Sequence, residues 1–312
     1  MDPGMAFCEA LETNDLRTAA TLLSETKDSE AKRCMLTQDV LEYAIERNYT
    51  DSVRFLLTNC PDELLDKMVG AGQGIKSAIH LAAALWPSDF VNYDNGPLRA
   101  LLDDRRVATE EMFNQLDDGS HNDGVQTTVL MDAATVNGND IAMRLLLDHP
   151  AADAARMIAN RDACGRNTLM LLAERGCVVG MEALLDHPAA EPAALLSDRV
   201  FRPEGETHET HRDGEGIWIL LKEEPYADGG ESAVTMAARF AVHDGDYAPL
   251  LFLLRRCIGA WGVGGERSQE QLEHVTAVLG LLSTREDADD ADDVMQECVH
   301  LLLELGATVA RR

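Results

Sequence analysis

The chain has 312 residues, 46% of them hydrophobic, enough to fill one large or two ordinary globular cores. Its formal charge of −28 opposes a phosphate backbone and an anionic bilayer surface, so nucleic acid and membrane are not expected among its partners. Only 5% of residues are aromatic while Ala and Leu recur throughout, which disfavours a β-sandwich and predicts a mostly all-α fold.

The chain opens with MDPGMAFCEALETND, which has neither the basic nor the apolar region of a leader, and no uncharged run exceeds about twelve residues. No membrane insertion is expected. FCEALETNDLRTAATLL (7–23) reads as two short helices around a turn, and LEYAIERNYTDSVRFLLTNCPDELLDKM (41–68) repeats the plan with Asn48 at the turn and Cys60-Pro61 at the stop. SAIHLAA (77–83) starts a third pair. ALWPSDFVNYDNGP follows it and reads as an ordered loop around Trp86 and Phe90, inserted between the two helices.

TVLMDAATVNGNDIAMRLLLDHPAAD (128–153) and TLMLLAERGCVVGMEALLDHPAAE (168–191) align along their whole length, and both spell LLDHPAA. Leu130, Ala133, Ala134 then Ile141, Leu145, Leu146 match Leu169, Leu172, Ala173 then Val179, Ala183, Leu184, which is helical spacing twice over. Gly138 and Gly176 suit the positive φ of the intervening turn. Pro150 and Pro188 end the second helix, and His149 and His187, when protonated, would favour the negative end of its dipole. The phrase is thus a helix stop rather than a metal or catalytic motif. Short amphipathic pieces, DELLDKM, ADAARMI and EPAALL, follow the stops and predict one or two further helical turns.

RVFRPEGETHETHRDGEGIWILLKEEPYADGG (199–230) places VFR and GIWILLK on either side of a polar tip, the pattern of an extended β-finger. His208 and His211 lie in that tip beside Glu206, Glu209 and Asp213; two His without further ligands at defined spacing read as a solvated loop. ESAVTMAA (231–238) begins another first helix. GAWGVGG (259–265) has no preceding strand and no Lys-Ser/Thr, so it reads as a linker rather than a phosphate loop. The acidic run 286–293 reads as a solvated loop, and ECVHLLLELGA (297–307) as the closing helix. The units run 5–38, 39–76, 77–127, 128–166, 167–198, 232–266 and 267–312, in a single domain carrying the 199–230 insertion.

The seven Cys contain no C-x-x-C pair and predict buried, reduced thiols in an intracellular protein, cytoplasmic or nuclear. G-x-S-x-G and H-E-x-x-H are both missing, so no enzyme, catalytic residue, metal or cofactor is expected.

Asp39, Ser77, Thr128, Asn167 and Ser232 occupy equivalent places before the first helices, and all are good N-cap residues. At this point the chain resembles the ankyrin repeat family. SAIHLAA is close to that family's T-P-L-H-x-A motif, and DACGRNTLMLLA (162–173) is similar to its D-x-x-G-x-T-P-L segment with Asn167 in the Thr place. Spacings of about 34, 38, 51, 39 and 65 residues depart from the family's period near 33.

The resemblance implies a helix-turn-helix solenoid whose concave face is lined by positions seven and eight after each cap. These are Glu46 and Arg47, Ala84 and Leu85, Thr135 and Val136, Glu174 and Arg175, Arg239 and Phe240. Arg47, Arg175 and Arg239, joined by Arg161 and Arg166, would hold partner carboxylates, with Leu85, Val136 and Phe240 as apolar anchors. The competing reading is that these arginines only pair with local acids. The expectation is a monomeric, non-catalytic protein-interaction module or scaffold. The alternative is a regulatory or inhibitory subunit acting through Trp218 in the finger or through the acidic loop, and the weakest reading is a metal-dependent activity at His208 and His211.

Overall fold

A computed structural model describes residues 3–26, 32, 35–70, 77–85, 95–117, 126–135, 139–162, 164–200, 232–261, 269–282 and 293–306. Residues 201–230 of the finger expected at 199–230, with Trp218, His208 and His211, the loop around Trp86 and Phe90, Val136, Gly138 and the acidic run before Asp293 lie outside them. Among the described residues the chain is mostly helical, without a β-strand; Leu116 and Thr128 form an isolated antiparallel bridge. It divides into two compact units, Met1–Asp162 and Ala163–Arg312.

In the first unit the helices come in the expected pairs. α1 (Pro3–Glu12) packs on α2 (Leu16–Glu25), and α3 (Gln38–Glu46) on α4 (Thr50–Asn59). α6 (Ala78–Ala83) packs on α7 (Gly96–Asp103), and α9 (Val129–Thr135) on α10 (Asp140–Leu147). The short pieces after the stops are α5 (Asp62–Met68), α8 (Glu110–Asn114) and α11 (Ala154–Ala159). Like packs on like: α1 touches α3, α3 touches α6, and α6 touches α9, while α4 touches α7. Small side chains make this approach possible, since Ala82, Ala83, Ala133 and Ala134 are buried where first helices meet. Leu41, Ile79 and Leu130 fill the space between them, each contributing about 1.5–3 kcal/mol of burial.

Polar links reinforce the second helices. Asn95, at φ 57° before α7, and Asn139, before α10, are both buried and exchange amide hydrogen bonds of 2.9 and 3.4 Å. The Arg106 guanidinium donates to the Leu57 and Cys60 carbonyls at 2.7 and 3.1 Å and pairs with Asp104 and Asp62, tying the end of α4 to the residues after α7. Those carbonyls are among the ones a helix leaves unpaired at its C-terminus.

The second unit contains α12 (Thr168–Glu174), α13 (Val178–Leu185), α14 (Pro192–Ser197), α15 (Ala233–Asp244), α16 (Ala248–Trp261), α17 (Gln269–Leu282) and α18 (Asp293–Glu304). α12 packs on α15 and α15 on α17, while α13, α14 and α18 all contact α16. Of the linker expected at 259–265, the first three residues, Gly259 to Trp261, instead belong to the last turn of α16, and Asp293 is the first residue of α18. Neither Gly259 nor any of its neighbours supplies a Pro or cap to stop the helix earlier.

Four of the five expected caps stand where the sequence places them. Asn167 accepts from the Met170 N–H and Thr128 from the Met131 N–H, and Ser232 forms a reciprocal capping box with Thr235. Ser77 precedes α6 without a side-chain cap bond. Asp39 is a correction: Thr37 caps α3 by accepting from the Val40 N–H, which leaves Asp39 inside the first turn. Ser232→Ala should therefore cost about 0.5–2 kcal/mol in urea melts. Ser77→Ala, which removes no cap bond, should change stability by less than about 0.5 kcal/mol; equal losses at both would contradict these cap assignments.

Candidate functional site

Among the described residues, those expected to bind a partner fall at the C-terminal ends of α3 and α12, just past α6, in the middle of α15 and in the segments beside them. Arg47 is the exposed C-cap of α3, its guanidinium 5.5 Å from the Tyr43 ring centre. Leu85, just beyond α6, is half-buried, and Arg161 is exposed after α11. In the second unit Arg175 is the C-cap of α12. Burial pushes its guanidinium below the ordinary value, nearby Arg166 adds to that, and Glu174 opposes it. Arg166 pairs with Glu174 at 2.7 Å, so that guanidinium is engaged within its own unit. Arg239 and Phe240 are half-buried in α15. The Phe240 ring covers the α12–α13 turn so closely that a Cβ on Gly176 would lie 2.3 Å from it.

The phrase written twice has a local structural role. At each copy His Nδ1 accepts a backbone N–H two residues on, Ala151 to His149 and Ala189 to His187, both at 3.2 Å. An accepting Nδ1 belongs to the neutral Nε2–H ring. The rings therefore close turns after α10 and α13. At His149 the Nε2–H also donates to the Leu102 carbonyl at 3.1 Å, and the ring lies 5.2 Å from that of Phe113. The stop is thereby anchored to the preceding helix pair.

A polar cluster that sequence reading missed sits inside the first unit. His80 projects from α6, Asp132 from α9, and Asp117 from the neck formed where Leu116 bridges Thr128. All three are at most 3% exposed. His80 Nδ1 lies 3.1 Å from Asp132 Oδ2. Thr127 organises both acids: its hydroxyl donates to Asp132 Oδ1 and its N–H to Asp117 Oδ1, each at 2.7 Å. The Asp117 N–H returns a bond of 2.9 Å to the Thr127 carbonyl. One ligand-capable atom from each of His80, Asp117 and Asp132 lies within 4.8 Å of the others. Buried groups this polar persist because they are bonded to one another.

Cys8, Cys60, Cys257 and Cys298 form no disulfide. Burial pushes the Cys60 thiol up to about 11 and Cys298 up to about 12, and raises Cys8 and Cys257 as well. Protonated thiols are poor nucleophiles and poor metal ligands. Among the described residues no helix is long and apolar enough to cross a membrane. No family model matches the chain, and no curated protein matches it either.

Proposed function

We propose that the chain is a non-catalytic protein-binding module, an irregular ankyrin-type solenoid that holds a partner polypeptide along the ends of its first helices. The observation that carries this reading is the like-to-like stacking within each unit, α3 on α6 on α9 and α12 on α15 on α17. Such stacking lays successive first helices side by side, so their C-terminal residues form a row instead of a closed pocket. Arg47 and Leu85 belong to that row in the first unit and Arg175 in the second, where Arg239 and Phe240 of the middle of α15 lie beside it. The arginines favour partner carboxylates, which Arg grips in bidentate fashion at short range even though the net charge of −28 opposes an acidic partner at long range.

The test is capture of partners on the purified protein, identification by mass spectrometry, and affinity measurement with the Arg47→Glu, Arg175→Glu, Arg239→Glu variant. Helical circular dichroism must be retained. At least about a tenfold loss of affinity is expected from reversing three contacting charges. Unchanged affinity would assign these arginines to local pairing and reject the row as the binding surface.

A further inference from the structure

We propose that His80, Asp117 and Asp132 form a binding site for one divalent transition-metal ion of the zinc class. The three residues are far apart in sequence, yet the fold brings a ligand-capable atom of each within 4.8 Å of the others in a place closed to solvent. The 3.1 Å separation of His80 Nδ1 and Asp132 Oδ2 is close to the spacing of about 3.4 Å between neighbouring ligands on a tetrahedral ion with bonds near 2.1 Å.

Charge and donor type select the ion. Two carboxylates beside a neutral imidazole carry −2, which a divalent cation balances, and burial of two such acids close together is otherwise opposed by their mutual repulsion. One imidazole nitrogen with carboxylate oxygens suits zinc, cobalt, manganese or iron better than magnesium or calcium, which prefer all-oxygen shells. Thr127 supplies the outer support that metal sites require. It fixes one oxygen of each acid, and each carboxylate has a second oxygen able to ligate. Coordination uses the Nδ1 lone pair, so the neutral ring carries its one proton on Nε2 when the ion is bound, and the bond between Nδ1 and Asp132 gives way to two bonds to the ion. The ligands lie on α6, on α9 and in the bridge neck, so the ion would clamp two stacked helix pairs.

The experiment refolds the full chain with zinc, passes it through EDTA, and measures retained metal and thermal unfolding. About one zinc per chain should survive, because sealed ligands release an ion only on opening, and Tm should rise by several degrees over metal-free protein. Asp117→Asn, checked for helical circular dichroism, should lose both effects. His208→Ala with His211→Ala should keep both. Cobalt in place of zinc should give visible ligand-field bands without a sulfur charge-transfer band; this readout needs no folded variant. Four results would overturn the proposal: no retained zinc, zinc retained equally by Asp117→Asn, zinc lost with His208 and His211, or a sulfur-to-cobalt band. Stronger stabilisation by calcium or magnesium than by zinc would overturn it too.

Discussion

Asp132→Ala is expected to lower the unfolding free energy of the metal-free protein by about 3–5 kcal/mol. Asp132 is fully buried and accepts from Thr127 while facing His80, so truncation strands two polar partners away from water. Leaving buried partners without their bonds costs more than the bonds themselves contribute. Asp132→Asn keeps an acceptor for the Thr127 hydroxyl and can donate to an unprotonated Nδ1, so its cost should be nearer 1–2 kcal/mol. Urea melts in EDTA check both values. A loss below about 0.5 kcal/mol for Asp132→Ala would place the cluster outside the forces holding the first unit together.

Gly176→Ala should cost about 2–4 kcal/mol, through two additive causes. The turn residue sits at φ 69°, where any Cβ meets the backbone, and that Cβ would also press on the Phe240 ring at 2.3 Å. Gly245 provides the control. Its φ of 76° is similar, but nothing lies within 4 Å of its Cβ position, so Gly245→Ala should show only the backbone cost of about 1–2 kcal/mol. Equal losses at the two positions would mean that Phe240 swings aside and does not pin α15 to the α12–α13 turn.

The helix pairs were legible because short-range physics dictates them. Ala and Leu at helical spacing, a capping side chain before α3, α9, α12 and α15, and Gly176 or Asn48 at the turn are all local signals, and the structure keeps them. Asp39 misled because two capping residues stand two apart: Thr37 captures the Val40 N–H, and Leu41 and Ala44 are buried all the same. The roles of His149 and His187 were hidden because each bonds backbone groups that carry no residue identity. The buried cluster was illegible for another reason. His80 is 52 residues from Asp132, and no motif spacing joins them; only the packing of α6 on α9 does so. The arginines of the proposed row were nameable by position, yet the Arg166–Glu174 pair depends on how the segment before α12 folds back on it.

Amide hydrogen exchange of the protein with and without its captured partner tests the binding account most directly. New protection is expected where α3, α6, α9 and α12 end and in the middle of α15, around residues 46–47, 84–85, 135–136, 174–175 and 239–240. Protection confined to the 201–230 segment, or to the second helices α4, α7, α10, α13 and α16, would contradict it.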